Sequence, residues 1–200
     1  MSASHAVVVA SHNQGKLREF NELLKPLAWQ ITSQAEHGIS AAEETGLTFI
    51  ENALLKARVA SAGSGLPALS DDSGLSVDAL DGAPGIHSAR YSGEAGCDRA
   101  NNEKLLKALA EVPDGRRGAQ YHCVLVYLRH PEDPVPIVVH ESWPGDILFM
   151  PRGEGGFGYD PLFWVPEQGA SAAELSSTLK NRIGHRGRAL ATLLQKLERR

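Results

Sequence analysis

Two acidic residues stand side by side at Asp71-Asp72, flanked by Ser70, Ser73 and Gly74, and a second acidic pair stands at Glu43-Glu44. Carboxylates grouped in this way can hold a divalent cation through oxygen and help a water to lose its proton. Neighbouring side chains of a strand point to opposite faces, so a mid-strand Asp-Asp would send an unpaired carboxylate into a core. The pair is therefore expected at a strand end. An Asx turn closing that strand accounts for the same residues without any chemistry, and Glu43-Glu44 ahead of a helix also suits plain complementation of the helix dipole.

Cationic groups stand at three other places. Ser11-His12-Asn13-Gln14-Gly15-Lys16 lies between the apolar run Ala6-Val7-Val8-Val9-Ala10 and Leu17, Phe20, Leu23 and Leu24 at helical spacing. A strand that turns into a helix offers backbone N–H groups and the positive end of the dipole to an anion, and Lys16 adds a full charge. A capped turn with no ligand is the alternative. The segment is not a Walker A loop, because Ala10 and Leu17 stand where that motif needs Gly and a hydroxyl residue. Lys56 follows Asn52 by four residues on a helix opened by the capping box Thr48 to Glu51. Near the end of the chain, Lys180, His185 and Arg186 gather donors ahead of a helix with Leu190, Leu193, Leu194 and Leu197 on one face. Such a cluster reads carbonyl oxygens, or is a solvated basic turn.

Gly153-Glu154-Gly155-Gly156-Phe157-Gly158 matches the dinucleotide fingerprint in letters only, since Tyr159-Asp160-Pro161 denies it the helix that fingerprint must open. A Gly-rich loop with Phe157 and Tyr159 suits close approach to a flat base, or is a hairpin tip.

The elements that must position these groups follow from periodicity. The run at residues 6–10 reads as a strand covered on both faces, and the helix after it should end at Pro26. A second strand is expected at residues 29–32, a helix from Phe49 to about Ala60, a half-buried strand at residues 75–80, and a helix from about Asp98 to Val112. Residues 121–128 and 137–143 read as a strand pair joined through Pro131 and Pro134, which makes residues 113–150 a β-rich lobe. The fold class expected is α/β: an elongated mixed sheet with flanking helices, two lobes around a central cleft, within one domain spanning residues 1–200.

Composition narrows the function. An apolar share of 42% and a charged share of 22% are those of a globular chain. The formal charge of −4 speaks against a nucleic-acid partner, and no apolar run is long enough for a bilayer. Cys97 and Cys123 alone form neither a disulfide framework nor a Cys-x-x-Cys site, which fits two thiols in a reducing cytoplasm.

Taken in order and spacing, the segments at residues 11–16, 43–53, 70–74, 82–85, 88–93, 156–161 and 184–187 resemble the inosine triphosphate pyrophosphatase family, also described as dITP/XTP pyrophosphatases, over nearly the whole chain. The first turn reads Ser11-His12-Asn13 where that family often has Thr-Gly-Asn. The resemblance implies a homodimer. It also implies magnesium-dependent cleavage of deaminated purine nucleoside triphosphates (ITP, dITP, XTP) to monophosphate and pyrophosphate, which would keep them out of DNA and RNA.

In that scheme Asp72 is the general base, and Glu44 and Asp72 are the Mg2+ ligands, with Asp71 and Glu43 nearby. Ser11, His12, Asn13, Gln14, Gly15 and Lys16 cradle phosphates, Lys56 neutralises charge and Ser73 adds a hydrogen bond. Phe157 stacks on the base within Phe157-Gly158-Tyr159-Asp160, and Lys180, His185 and Arg186 recognise it. Two other classes compete: a related pyrophosphatase acting on pyrimidine or modified nucleotides, and a non-catalytic nucleotide sensor, which would have no use for paired acids.

Overall fold

The computed structural model describes residues 6–25, 29–93 and 97–199. Seven strands form one mixed sheet: β1 (Ala6–Ala10), β2 (Gln30–Ser33), β3 (Ala68–Val77), β4 (Gly118–Leu128), β5 (Ile137–Ile147), β6 (Phe163–Val165) and β7 (Ala170–Ser171), in the order β2-β1-β3-β4-β5-β6-β7. β1 pairs in parallel with both β2 and β3, whereas β5-β6 and β6-β7 are antiparallel. The helices are α1 (Gln14–Leu24), α2 (Phe49–Ser64), α3 (Asp98–Ala108), α4 (Ser177–Ile183) and α5 (His185–Glu198). Pro26, expected to end α1, lies outside the described residues. The chain divides into two compact units: Met1–Asp72, Cys123–His140 and Ala189–Arg200 in one, Ser73–His122 and Glu141–Arg188 in the other.

In the first unit the sheet is covered on both faces, as the unbroken apolar run of β1 requires. Val7, Val9, Leu69, Cys123 and Leu125 face Phe20 and Leu24 of α1 and Leu190 and Leu193 of α5. Val8, Ala10, Ala68, Val124 and Val126 face Ala53, Ala57 and Ala60 of α2. The small residues of α2 let its axis approach the sheet closely, and Thr48 caps it by accepting the Glu51 N–H. α2 runs one turn beyond the expected end at Ala60, to a left-handed Gly65.

In the second unit Leu75, Val77, Leu105, Leu109, Tyr121, Trp143, Leu162 and Phe163 form the core. Arg117 is buried there and serves main chain alone among its hydrogen bonds: Nε donates to the Ile147 carbonyl, Nη1 to those of Leu109 and Val112, and Nη2 to that of Leu148. The β-rich segment expected at residues 113–150 is present, with β5 continuing past Pro144 to Ile147.

Three expectations about the elements are corrected. The strand expected at residues 75–80 is the end of β3, which gives way to a 3-10 turn at Asp78–Leu80, and α3, expected to reach Val112, ends at Ala108. Asp71 and Asp72 do not sit at a strand end but in the interior of the ten-residue β3. The cost of burying them is partly offset by a lysine on each face.

Replacing Arg117 by Met should lower the unfolding free energy by at least about 3 kcal/mol, since each buried carbonyl left without a donor costs ~1–3 kcal/mol. Urea denaturation checks this; a midpoint within error of wild type would show that the four contacts contribute nothing.

Candidate active site

Strand alternation sends Asp71 and Asp72 to opposite faces of β3, and the helix on each face answers with one ammonium. Lys16 of α1 meets Asp71 Oδ1 at 2.5 Å, and Lys56 of α2 meets Asp72 Oδ1 at 2.5 Å and Glu44 Oε1 at 3.1 Å. Asp71 also accepts a hydrogen bond from the buried Cys123 thiol at 3.3 Å, and Ser70 donates to the Ala53 carbonyl at 2.6 Å. Glu44 is brought to Lys56 by the segment before α2. That segment is anchored by the fully buried Asn52, whose side chain takes the Gly46 N–H at 2.8 Å and donates to the Gly46 carbonyl at 3.4 Å. Glu43 is exposed.

Glu44, Asp71, Asp72, Lys16 and Lys56 carry three negative charges and two positive ones. Burial and this surplus together give two shifts of the same sign. Burial works against the Lys56 ammonium, but Asp72 and Glu44 more than reverse this and hold its pKa above the ordinary value. Burial raises the pKa of Asp72, and Lys56 and Lys16 only partly restore it while Glu44 opposes them. A cluster one positive charge short favours keeping its ammoniums and gaining a further cation, either a proton or a metal.

The turn before α1 is built as expected. Asn13 caps the helix by accepting the Lys16 N–H at 3.0 Å, and its own N–H goes to Ser11 Oγ at 3.1 Å. Ser11 and Gly15 are buried, while His12, Asn13 and Gln14 are exposed at the helix N-terminus.

In the second unit α4 and α5 meet at Gly184, whose N–H bonds the Lys180 carbonyl at 2.8 Å. Lys180 at the end of one helix and His185 and Arg186 at the start of the next are all buried. A Cβ on Gly187 would overlap the Asn181 carbonyl oxygen, which is why the third residue of His185-Arg186-Gly187 is glycine. Arg186 Nη2 donates to Ser73 Oγ at 3.0 Å, and His185 stacks on Tyr121 with ring centroids 4.7 Å apart. Lys180 lies 4.7 Å from the centre of the Phe157 ring.

Asp160 organises this group. Its carboxylate accepts from Lys180 Nζ at 2.6 Å, from the Phe157 N–H at 2.8 Å and from the Tyr121 hydroxyl at 3.3 Å. Burial and Asp160 push the Tyr121 phenol well above its ordinary pKa, so it stays a donor. Asp160 thus orients Lys180 and the Phe157 backbone from within the core. Tyr159, expected beside the base, is instead buried with its hydroxyl on the Ser88 carbonyl at 2.8 Å, because its ring completes the apolar core. Sequence reasoning missed Tyr121, Cys123 and Asn52. Only Asn52 had a visible signal, its place between the Glu43-Glu44 segment and Lys56.

The Ham1 family model matches residues 7–196. The chain belongs to the Ham1 family. Among curated relatives, the dITP/XTP pyrophosphatase of Shigella flexneri is 59% identical over 191 residues, covering 96% of this chain and 97% of the relative. That of Yersinia pestis is 57% identical with the same coverage. A solved HAM1 protein from Coxiella burnetii superposes with a TM-score of 0.89 at 46% identity, covering 98% of this chain and 99% of that one. A nucleoside-triphosphatase / dITP/XTP pyrophosphatase from Mycobacterium abscessus gives 0.74 at 41%, covering 96% and 99%.

The raised carboxyl of Asp72 has a stability consequence in the metal-free protein. A folded state that binds this proton more readily than the unfolded chain loses stability as pH rises above the ordinary value of 3.8. Asp72→Asn removes that loss, so its stability relative to wild type should grow with pH above 3.8 and vanish below it. Chemical denaturation in EDTA at several pH values tests this; a variant less stable than wild type at neutral pH would contradict it.

Proposed function

We propose that this Ham1-family protein hydrolyses deaminated purine nucleoside triphosphates to the monophosphate and pyrophosphate, and so clears them from the nucleotide pool. The observation that carries the reading is the pairing of Asp72 with Lys56 beside Lys16 and Asp71. It places a carboxylate of raised basicity among ammoniums, where a triphosphate needs both a base and positive charge.

Asp72 takes the proton of the water that attacks the α-phosphate. The bond from that phosphorus to the bridging oxygen breaks, and pyrophosphate departs with the electron pair. Lys16, Lys56 and the N-terminus of α1, with Ser11 to Gly15, balance the charge that moves onto the leaving oxygens.

Glu44 and Asp72 would hold the Mg2+ that the family resemblance implies. The donor set fits: Glu44 Oε1 and Asp72 Oδ1 both reach the Lys56 ammonium, so two carboxylate oxygens already converge on a positive charge. Bound there, the ion supplies the missing positive charge and polarises phosphoryl oxygen.

Phe157 offers a face to the base, and Lys180, His185 and Arg186 present donors toward its 6-oxygen, with Ser73 held by Arg186. An adenine would turn an amine toward those donors, and a buried mismatch of this kind costs ~1–3 kcal/mol. We place the reaction in the cytoplasm, where free thiols such as Cys97 and Cys123 stay reduced. We also propose a homodimer, in which exposed apolar residues of the α2 region such as Leu47 and Ile50 would be covered.

A nucleotide panel tests the activity. With magnesium, ITP, dITP and XTP should each yield pyrophosphate as first product, ATP should react poorly, and EDTA should abolish turnover. Asp72→Asn should lower kcat by at least about 10²-fold, the low end for loss of a general base. Orthophosphate as the primary product, or pyrimidine triphosphates turned over fastest, would overturn the assignment.

For the base, Arg186→Ala should reduce kcat/KM for ITP more than for ATP and so narrow their ratio. Equal losses would assign Arg186 to the phosphates instead.

A further inference from the structure

The first turn of α3 holds the loop that carries Phe157, and none of the roles above uses it. Asp98 Oδ2 accepts the Gly158 N–H at 2.6 Å. Four residues on, Asn102 Nδ2 donates to the Gly158 carbonyl at 2.8 Å and to the Asp98 carbonyl at 2.9 Å. Both main-chain polar groups of Gly158 are therefore bound by one helical turn. Gly158 has φ of +64°, a left-handed conformation that glycine adopts freely and leaves freely, so its geometry depends on what binds it.

On the other side of Phe157, its N–H goes to Asp160 Oδ2 at 2.8 Å and its carbonyl accepts the Asp160 N–H at 3.3 Å. The peptide joining Phe157 to Gly158 thus has its carbonyl on Asp160 and its N–H on Asp98. Held at both edges, that peptide plane sets the direction in which the Phe157 side chain leaves the backbone. The helical turn is itself anchored, since the buried Asn101 takes the Ser92 N–H at 2.8 Å and donates to the Ala89 carbonyl at 3.3 Å. Asp98 is exposed, so water would satisfy its carboxylate equally well; what the bond adds is order in the loop.

We propose that Asp98 and Asn102 are positioning residues for base recognition, holding the Phe157-Gly158 peptide so that the ring is already set when a purine stacks on it. The proposal rests on the reading of Phe157 as the stacking surface. It predicts that α3 contributes to affinity for the base-bearing product and nothing to affinity for pyrophosphate.

Calorimetric titration of the full-length protein in magnesium with inosine monophosphate, and separately with pyrophosphate, tests it. Asp98→Ala should weaken inosine monophosphate binding on the order of tenfold, equivalent to ~1.4 kcal/mol, and leave pyrophosphate binding unchanged. Asp98→Asn keeps an oxygen acceptor for the Gly158 N–H and should restore most of the affinity, which a merely structural role for the charge would not. Asn102→Ala repeats the test from the carbonyl side of Gly158, with a loss in the same direction. Unchanged inosine monophosphate binding in Asp98→Ala, or equal losses for both ligands, would overturn the proposal. Phe157→Ala separates the two readings: if it leaves inosine monophosphate binding intact, stacking on Phe157 is wrong. If it weakens binding while Asp98→Ala does not, only the brace is wrong.

Discussion

Two adjacent carboxylates in the interior of a strand must point to opposite faces of the sheet, and each face must then neutralise one of them. This constraint determines much of the first unit. α1 has to lie on the Asp71 face with Lys16 at its first turn, and α2 has to lie on the Asp72 face with Lys56 in its second. The flanking apolar residues agree with that division, since odd-numbered β1 residues pack with α1 and even-numbered ones with α2. The same alternation that would make Asp-Asp intolerable in a bare core makes it workable in a sheet with a lysine-bearing helix on either side. It also gives the two acids different neighbours: Asp71 is closed in by Lys16 and the Cys123 thiol, while Asp72 shares Lys56 with Glu44.

The second unit solves the converse problem, keeping cations buried without losing their donors. One carboxylate, Asp160, holds Lys180, and a neutral phenol completes its shell. Because Tyr121 remains protonated, it supplies a hydrogen bond without adding charge. The same Tyr121 ring stacks on His185 and so fixes an imidazole as well as a carboxylate. The proposed reading of a carbonyl oxygen would work by leaving a wrong partner unsatisfied, and that requires donors unable to swing away. The core of this unit provides such rigidity: Asp160 for Lys180, Tyr121 for His185, and Ser73 for Arg186.

Much of this was legible in the sequence, and the parts that were not share one cause. The apolar run of β1, the capping box at Thr48 and the helical spacing of the apolar residues are local signals, and the elements they mark are present. The absence of a helix after Gly158 followed from Tyr159-Asp160-Pro161 alone. What failed was the placement of Asp71-Asp72 at a strand end, which holds only for an unpaired charge. Whether a charge is paired depends on Lys16 and Lys56, which are 55 and 16 residues away along the chain. The protein contacts of Tyr159 and Asp160 were hidden for a related reason. Their partners, Ser88, Tyr121 and Lys180, are brought by folding, and an aromatic or acidic residue in a Gly-rich loop looks the same in sequence whichever way it points. Cys123 gave no signal at all, since a buried cysteine in an apolar strand is ordinary until its neighbour is known.

The charge balance around Asp72 connects the fold to its use. A cluster optimised for stability would match each carboxylate with an ammonium, or replace the pairs with apolar residues at little cost. Here three carboxylates face two ammoniums, and burial adds to the disadvantage of ionised Asp72. Under the proposed function, the energy withheld from the folded protein would be released when a cation and a triphosphate enter together, because the cation would meet the surplus acid and Lys16 and Lys56 would meet the phosphates. Neither ligand alone achieves this: a triphosphate without a cation would bring more negative charge toward carboxylates already in excess. The site is therefore least stable in the state that waits for substrate, which is the usual direction of the exchange between stability and activity.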